Sequence, residues 1–228
     1  MVSLNSIRDI HTLIQNYAEE RTQLLTKDVP TKPEQWDEIY TYLKALTNLY
    51  GVVPIDKAIE IYNAYHDKQI NSGDLRYLDY DDRSKEITEF IGINGDYFFN
   101  LDVLIDDNFD SLLKSKEDKP YYVPDKEEIK RYASRDYFVE DEEFIELRKF
   151  IRNKYWNKKK ADRLALEIQI LCKNVNAQDL IDNFFDRHRL KLSNNELKEL
   201  KVLIQSLMDN TRLCENNGFT PREMNEES

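Results

Sequence analysis

Residues 33–54 read PEQWDEIYTYLKALTNLYGVVP, from Pro33 to Pro54. Trp36, Ile39, Tyr40, Leu43, Leu46 and Tyr50 recur every three or four positions, which places them on one face of a helix. Pro33 suits the first turn, where its missing N–H has no partner to lose. Gly51 stands where a helix ends in a left-handed residue. Pro54 then opens a second helix carrying Ile55, Ala58, Ile59 and Tyr62, with Gly73 in the loop beyond it.

The same periodicity runs outward in both directions. Ile7, Ile10, Ile14, Tyr17 and Leu24 predict a helix before this stretch, with Asn5 or Ser6 as its cap. In the second half, Phe144, Leu147 and Ile151 mark one helix, and Leu164, Ile168, Leu171 and Val175 another. Asn176 caps a further helix bearing Leu180, Ile181, Phe184 and Phe185. Three capping boxes are spelled out: Asp125 with Glu128, Ser193 with Glu196, and Thr220-Pro221-Arg222-Glu223. The Ser193 box precedes Leu197, Leu200, Leu203, Ile204 and Leu207.

One region breaks the helical pattern. Phe90-Ile91-Gly92-Ile93 and Tyr97-Phe98-Phe99 flank Asn94-Gly95, a pair suited to a turn whose two residues both take positive φ. This predicts a β-hairpin at about residues 87–101. Further on, Pro120 and Pro124 hold Tyr121 and Tyr122 in an extended segment. The fold class expected is therefore mainly α, a multi-helix protein with one small β-hairpin. Residues 1–118 form N-terminal helices plus hairpin, in the order of a winged helix-turn-helix. Residues 119–228 form a C-terminal helical bundle, with the boundary near 115–125; a single domain is the alternative.

Composition narrows the function classes. The chain has 228 residues, 40% hydrophobic and 34% charged, enough apolar material for a core. Only 5 glycines and 2 cysteines are present. Glycine scarcity argues against all-β and phosphate-loop folds. Cys172 and Cys214 cannot build a disulfide framework or a four-cysteine zinc site. No apolar run reaches the length of about 18 residues that a membrane span needs. The opening MVSLNSIRDIHTLI carries no secretory pattern, so a cytoplasmic protein is expected.

The net charge of −11 hides two opposite stretches. Residues 74–118 hold 13 acidic side chains against 5 basic, including Asp102, Asp106, Asp107 and Asp110. These four lack the spacing and central glycine of a calcium loop and read as a solvated acidic face. Residues 148–163 hold 8 basic side chains against one acidic, around Tyr155 and Trp156. Those aromatics can stack on nucleic-acid bases; the plainer reading packs both inward and leaves the lysines in solvent. His11, His66, His188 and the two cysteines show no metal-ligand spacing, and no nucleophile elbow is present. No catalytic, cofactor or metal residue is assigned, and no cofactor is expected. The 14 tyrosines point to packing and to protein contact, with a groove near Tyr121 and Tyr122 as the interaction candidate.

The C-terminal stretch carries a resemblance. Asp209-Asn210-Thr211-Arg212-Leu213, then Glu215-Asn216-Asn217-Gly218-Phe219-Thr220-Pro221-Arg222-Glu223, resembles the Asn-Asn-Thr-Arg … Gly-His-Thr-Pro-x-Glu signature of a bacterial family without a settled activity. That family occurs in Gram-positive bacteria and their phages and plasmids, and its members often end in a zinc-binding SEC-C tail. Leu49-Tyr50-Gly51-Val52-Val53-Pro54 with Ile61-Tyr62-Asn63, and Tyr121-Tyr122-Val123-Pro124 with Glu127-Glu128-Ile129 and Tyr132, are similar to the same family. Asp209 and Phe219 replace its usual Asn and His, Cys214 stands where an aromatic is common, and the tail's zinc is not expected here. The resemblance implies a mobile-element setting and an architecture, and no reaction. Physically, Asn210, Thr211, Arg212, Gly218, Thr220, Pro221 and Glu223 read as a helix-ending and helix-capping device.

The function expected is a non-enzymatic cytoplasmic protein-interaction protein. An acidic inhibitor imitating nucleic acid and a winged-helix DNA-binding regulator are the alternatives.

Overall fold

In the computed structural model, which describes residues 12, 14–16, 30–86, 89–105, 108–173, 180, 187–188 and 192–226, the stretch Trp36–Tyr50 is helix α1. It buries Trp36, Ile39, Tyr40, Leu43, Leu46 and Tyr50 as the spacing predicts. It ends at Gly51, whose φ is 69° and whose N–H donates to the Thr47 carbonyl at 2.8 Å. Of the helix expected over Ile7–Leu24, residues 12 and 14–16 are described, and they are helical with Ile14 buried; the rest lies outside the described residues.

Val52–Pro54, read from sequence only as the approach to a helix, is a short strand, β1. It leads into α2 (Ile55–Ala64), with Pro54 as the residue before the first turn. A four-residue helix, α3 (Ser72–Leu75), follows under an Asn71–Asp74 capping box, then turns of 3-10 helix at Arg76–Asp79 and Asp82–Lys85. The expected hairpin is β2 (Ile91–Asn94) and β3 (Tyr97–Asn100). β1 pairs antiparallel with the other edge of β3, so the sheet has three strands in the order β1-β3-β2. Pro54 tolerates this place because β1 is an edge.

The hairpin register differs by one residue from the Asn-Gly expectation. Asn94 pairs with Tyr97, and Gly95-Asp96 make the turn, with positive φ at Gly95 alone (56°). This is the turn class with glycine at its first central position. The register sets Gly92 opposite Phe99, whose ring lies where a Cβ on Gly92 would sit. Val53, Ile91 and Phe98 enter the main core, joined by the half-buried Ile93. Phe99 turns to the other face, edge-on to Phe90 and Phe109. Helices α4 (Leu101–Ile105) and α5 (Phe109–Ser115) follow.

Beyond Pro124, Asp125 accepts the N–H groups of Glu127 and Glu128 and starts α6 (Lys126–Tyr132). Glu128 does not close that capping box; its carboxylate takes the Tyr122 hydroxyl at 2.9 Å. Ile129 and Tyr132 join the core of α1 and α2. The chain accordingly divides into units Met1–Tyr137 and Phe138–Ser228. The sequence boundary at 118/119 falls short of this division, because α6 belongs to the first unit's core.

The second unit is helical in its described residues. Helices α7 (Glu142–Lys154), α8 (Lys158–Leu171) and α9 (Asn194–Asn210) surround Phe144, Leu147, Ile151, Leu164, Ile168, Cys172, Leu200, Ile204 and Leu207. Burial pushes the Cys172 thiol up to about 12. Ser193 and Glu196 form the expected capping box of α9. A 3-10 turn (Cys214–Asn216) and α10 (Pro221–Glu226) complete the unit. Most of the Asn176–Phe185 helix and Val175 lie outside the described residues; Leu180 is described and buried. The molecule is mainly α with one small antiparallel sheet, and no described helix is long and apolar enough to cross a membrane.

Candidate functional site

The α7–α8 hairpin is built by two side-chain caps. Asp141 accepts the Phe144 N–H at 2.8 Å and Asn157 accepts the Lys160 N–H at 3.1 Å. Tyr155, Trp156 and Asn157 make the connection. Tyr155 is half-buried, with the Lys160 ammonium 5.2 Å from its ring centre. Trp156 is 100% exposed. The two aromatics thus part company, where the plainer sequence reading packed both inward.

Part of the basic run is neutralised within the unit. Arg148 pairs with Glu140 at 3.1 Å, Arg152 holds Asp162 through two bonds of 2.5 and 2.8 Å, and Lys154 reaches Glu196 at 2.5 Å. Lys154 and the Ser193 N–H lower the Glu196 carboxyl to about 2. Lys158 donates to the Arg152 carbonyl at 2.6 Å. Among the described residues, Lys149, Lys159 and Arg163 are exposed and have no carboxylate partner. Lys158, Lys159 and Lys160 fill the first turn of α8 with no acidic residue among them. Cations there face the positive end of the helix dipole, a locally unfavourable choice.

The tyrosine candidates are used internally. Tyr121 and Tyr122 are half-buried and pack against the first core. The Tyr50 hydroxyl donates to the Tyr122 carbonyl at 2.6 Å, and the Tyr65 hydroxyl to the Pro124 carbonyl at 2.7 Å. Burial pushes the Tyr121 phenol up to about 12. This segment is clamped onto α1 and the end of α2 through its backbone carbonyls, with both tyrosine side chains half-buried. Asp102 is engaged by Arg135, and Asp110 is exposed in the first turn of α5. Asp106 and Asp107 lie outside the described residues.

The described elements of the first unit run α1, β1, α2, α3, β2, β3, α4, α5 and α6, with β1 completing the sheet. The side chains of α2 and of the turn after it that would read DNA are occupied. Lys57 pairs with Glu60 at 2.8 Å and Lys68 with Glu34 at 2.8 Å. Asn63 bonds both the N–H and the carbonyl of Ile70. His66 stacks on Tyr62, donates from Nδ1 to its carbonyl at 2.8 Å, and sets Nε2 3.0 Å from Glu38. A recognition helix needs such groups free for base edges and phosphates.

A polar cleft of about 230 Å³ lies between α1, the start of β2 and the turn after α6. Its cations are matched by carboxylates: Lys44 with Glu89 at 3.0 Å, and Arg135 with Asp102. Three groups with distant partners, two buried and one exposed, were not singled out from sequence. Asp81, buried, accepts the Trp36 indole N–H and the Arg83 guanidinium, while Arg83 lies over Tyr40 at 4.3 Å. Lys116, also buried, donates to the carbonyls of Tyr50 and Val52. Arg135 is the third. Each partner is 33 or more positions away or lies in an irregular turn, and no spacing rule reaches that far.

In the C-terminal motif, Asn210 ends α9 and the Thr211 hydroxyl donates to the Leu207 carbonyl at 2.7 Å. Arg212 bridges the Gly218 carbonyl and the Glu223 carboxylate, each at 2.9 Å. Gly218 has a φ of 84°, and Pro221 opens α10. Thr220 and Glu223 exchange bonds of 2.9 and 3.2 Å, the reciprocal cap.

No family model, curated protein or solved structure matches the chain.

Proposed function

We propose that this chain is a non-catalytic binding protein that engages a protein partner through the tip of the α7–α8 hairpin. The supporting observation is Trp156, fully exposed beside cations that no carboxylate of the described residues neutralises. A tryptophan in water forgoes a large burial gain, and tryptophan is enriched among the residues that anchor protein interfaces. A cytoplasmic setting belongs to this reading, in keeping with two free thiols. The mobile-element setting rests on the C-terminal resemblance alone.

The test is a photo-crosslinking amino acid placed at position 156 in the full-length chain, expressed in a Gram-positive host. The same probe at Val202, 69% exposed on α9, is the control. A discrete protein adduct from 156 and none from 202 is the expected result. No adduct, or the same adducts from both positions, overturns the reading.

A further inference from the structure

α8 begins two residues after Trp156, and its outer face carries a regular stripe. Lys159, Arg163, Leu166 and Ile170 are spaced four, three and four residues apart, which puts them on one side of the helix. All four are exposed, Leu166 by 37% and Ile170 by 49%. The opposite side, with Ala161, Leu164, Ala165 and Ile168, is buried in the unit's core. The two carboxylates of α8 are already held within the chain: Asp162 by Arg152, and Glu167 by Arg187 and His188 at 3.0 Å each. Among the described residues, Lys159 and Arg163 have no carboxylate partner.

We infer that this stripe is a docking seam for an acidic amphipathic helix of a partner protein. The inference rests on the binding role proposed above and names the partner's chemistry. The spacing of 159, 163, 166 and 170 is that of one seam of a helix pair. It extends about 16 Å at the rise of a helix. Its two halves differ: cations lie toward Trp156, aliphatic side chains lie away from it. A helix laid along it presents carboxylates to Lys159 and Arg163, apolar side chains to Leu166 and Ile170, and an apolar contact to Trp156. Nucleic acid uses the cations and gains nothing from the aliphatic half, which it would cover with phosphates. A membrane surface requires a broad apolar sector, and on α8 that sector faces the core. Antiparallel self-pairing would lay the cations of each copy against Leu166 and Ile170 of the other, burying charge without counter-ions.

The probe is a fluorescent synthetic helix with leucine at the seam positions and glutamate flanking them. Its comparators have the same composition with scrambled order, or lysine in place of glutamate. Full-length protein is titrated with each, with a single-stranded oligonucleotide, and with anionic vesicles. The acidic heptad peptide is expected to bind. Arg163→Glu and Ile170→Glu are each expected to weaken it tenfold or more, and Val202→Glu to leave it unchanged. The lysine peptide is expected to prefer Arg163→Glu over the parent chain. Circular dichroism confirms that the variants fold. Equal binding of the scrambled peptide, no binding of the acidic peptide up to about 1 mM, or binding of oligonucleotide or vesicles that Arg163→Glu abolishes overturns the inference. A protein adduct from position 156 alongside such a result removes only the partner class; absence of the adduct removes the binding role itself.

Discussion

Around Trp36, polar chemistry is turned inward. Asp81 takes the indole N–H and the Arg83 guanidinium, Arg83 covers Tyr40, and the Tyr40 hydroxyl donates to the Glu89 carbonyl at 2.6 Å. Around Trp156 the same side-chain type stands in solvent, next to Lys158, Lys159 and Lys160, none of which has a carboxylate partner among the described residues. A tryptophan's role is decided by what surrounds it. In the first unit, aromatic rings and their polar tips are locked to distant backbone; in the second, the core is mostly aliphatic, with Phe144 and Phe150 among it, and the tip of one hairpin is left available.

The largest test of this contrast is Trp36→Ala, expected to cost the first unit about 3–5 kcal/mol by removing a fully buried side chain. Denaturant unfolding measures it. Acid comes next. Burial raises the Asp81 carboxyl, and its hydrogen bonds from Arg83 and Trp36 outweigh that, so its folded pKa lies below the usual aspartate range. A depressed carboxyl contributes stability above its unfolded pKa of about 3.9 and loses it as pH falls through the lower folded value. Asp81→Asn is expected to cost about 1–3 kcal/mol at neutral pH. Urea midpoints of variant and parent should converge below about pH 4; a constant gap would show that the charge is not what matters.

In the second unit the expected effects shrink. Thr220→Ala removes a cap and should cost about 1 kcal/mol. Lys159→Glu is expected to stabilise by about 0.3–1 kcal/mol, because it places an anion in the first turn of α8. A stability gain accompanied by weaker acidic-peptide binding would sharpen the contrast, since it would show charge retained there against the fold's own interest. Trp156→Ala should change stability by no more than about 0.5 kcal/mol. Acrylamide should quench the Trp156 emission and leave that of Trp36 largely intact.

Much of this was legible locally. The periodicity from Trp36 to Tyr50, the Ser193 and Thr220 capping boxes and the presence of a hairpin each depend on neighbours a few residues apart. What was not legible depends on distant pairing. β1 exists because β3, more than 40 positions later, offers it an edge. The hairpin register is set by Phe99 folding over Gly92 as well as by turn preference. Tyr121 and Tyr122 looked like contact residues because a composition count cannot see the Tyr50 and Tyr65 hydroxyls that pin their backbone. The stripe on the outer face of α8 was present in the sequence, overshadowed by the stronger apolar face opposite.

The clamped segment from Tyr121 to Tyr132 also has a consequence for synthesis. As the chain emerges from the ribosome, the hairpin appears well before Ile129 and Tyr132, which complete the core shared with α1 and α2. Until they emerge, Tyr50 and Tyr65 have no carbonyl from this segment to bond. A nascent chain halted at residue 118 should therefore remain open to protease, whereas one that has exposed Tyr137 should close.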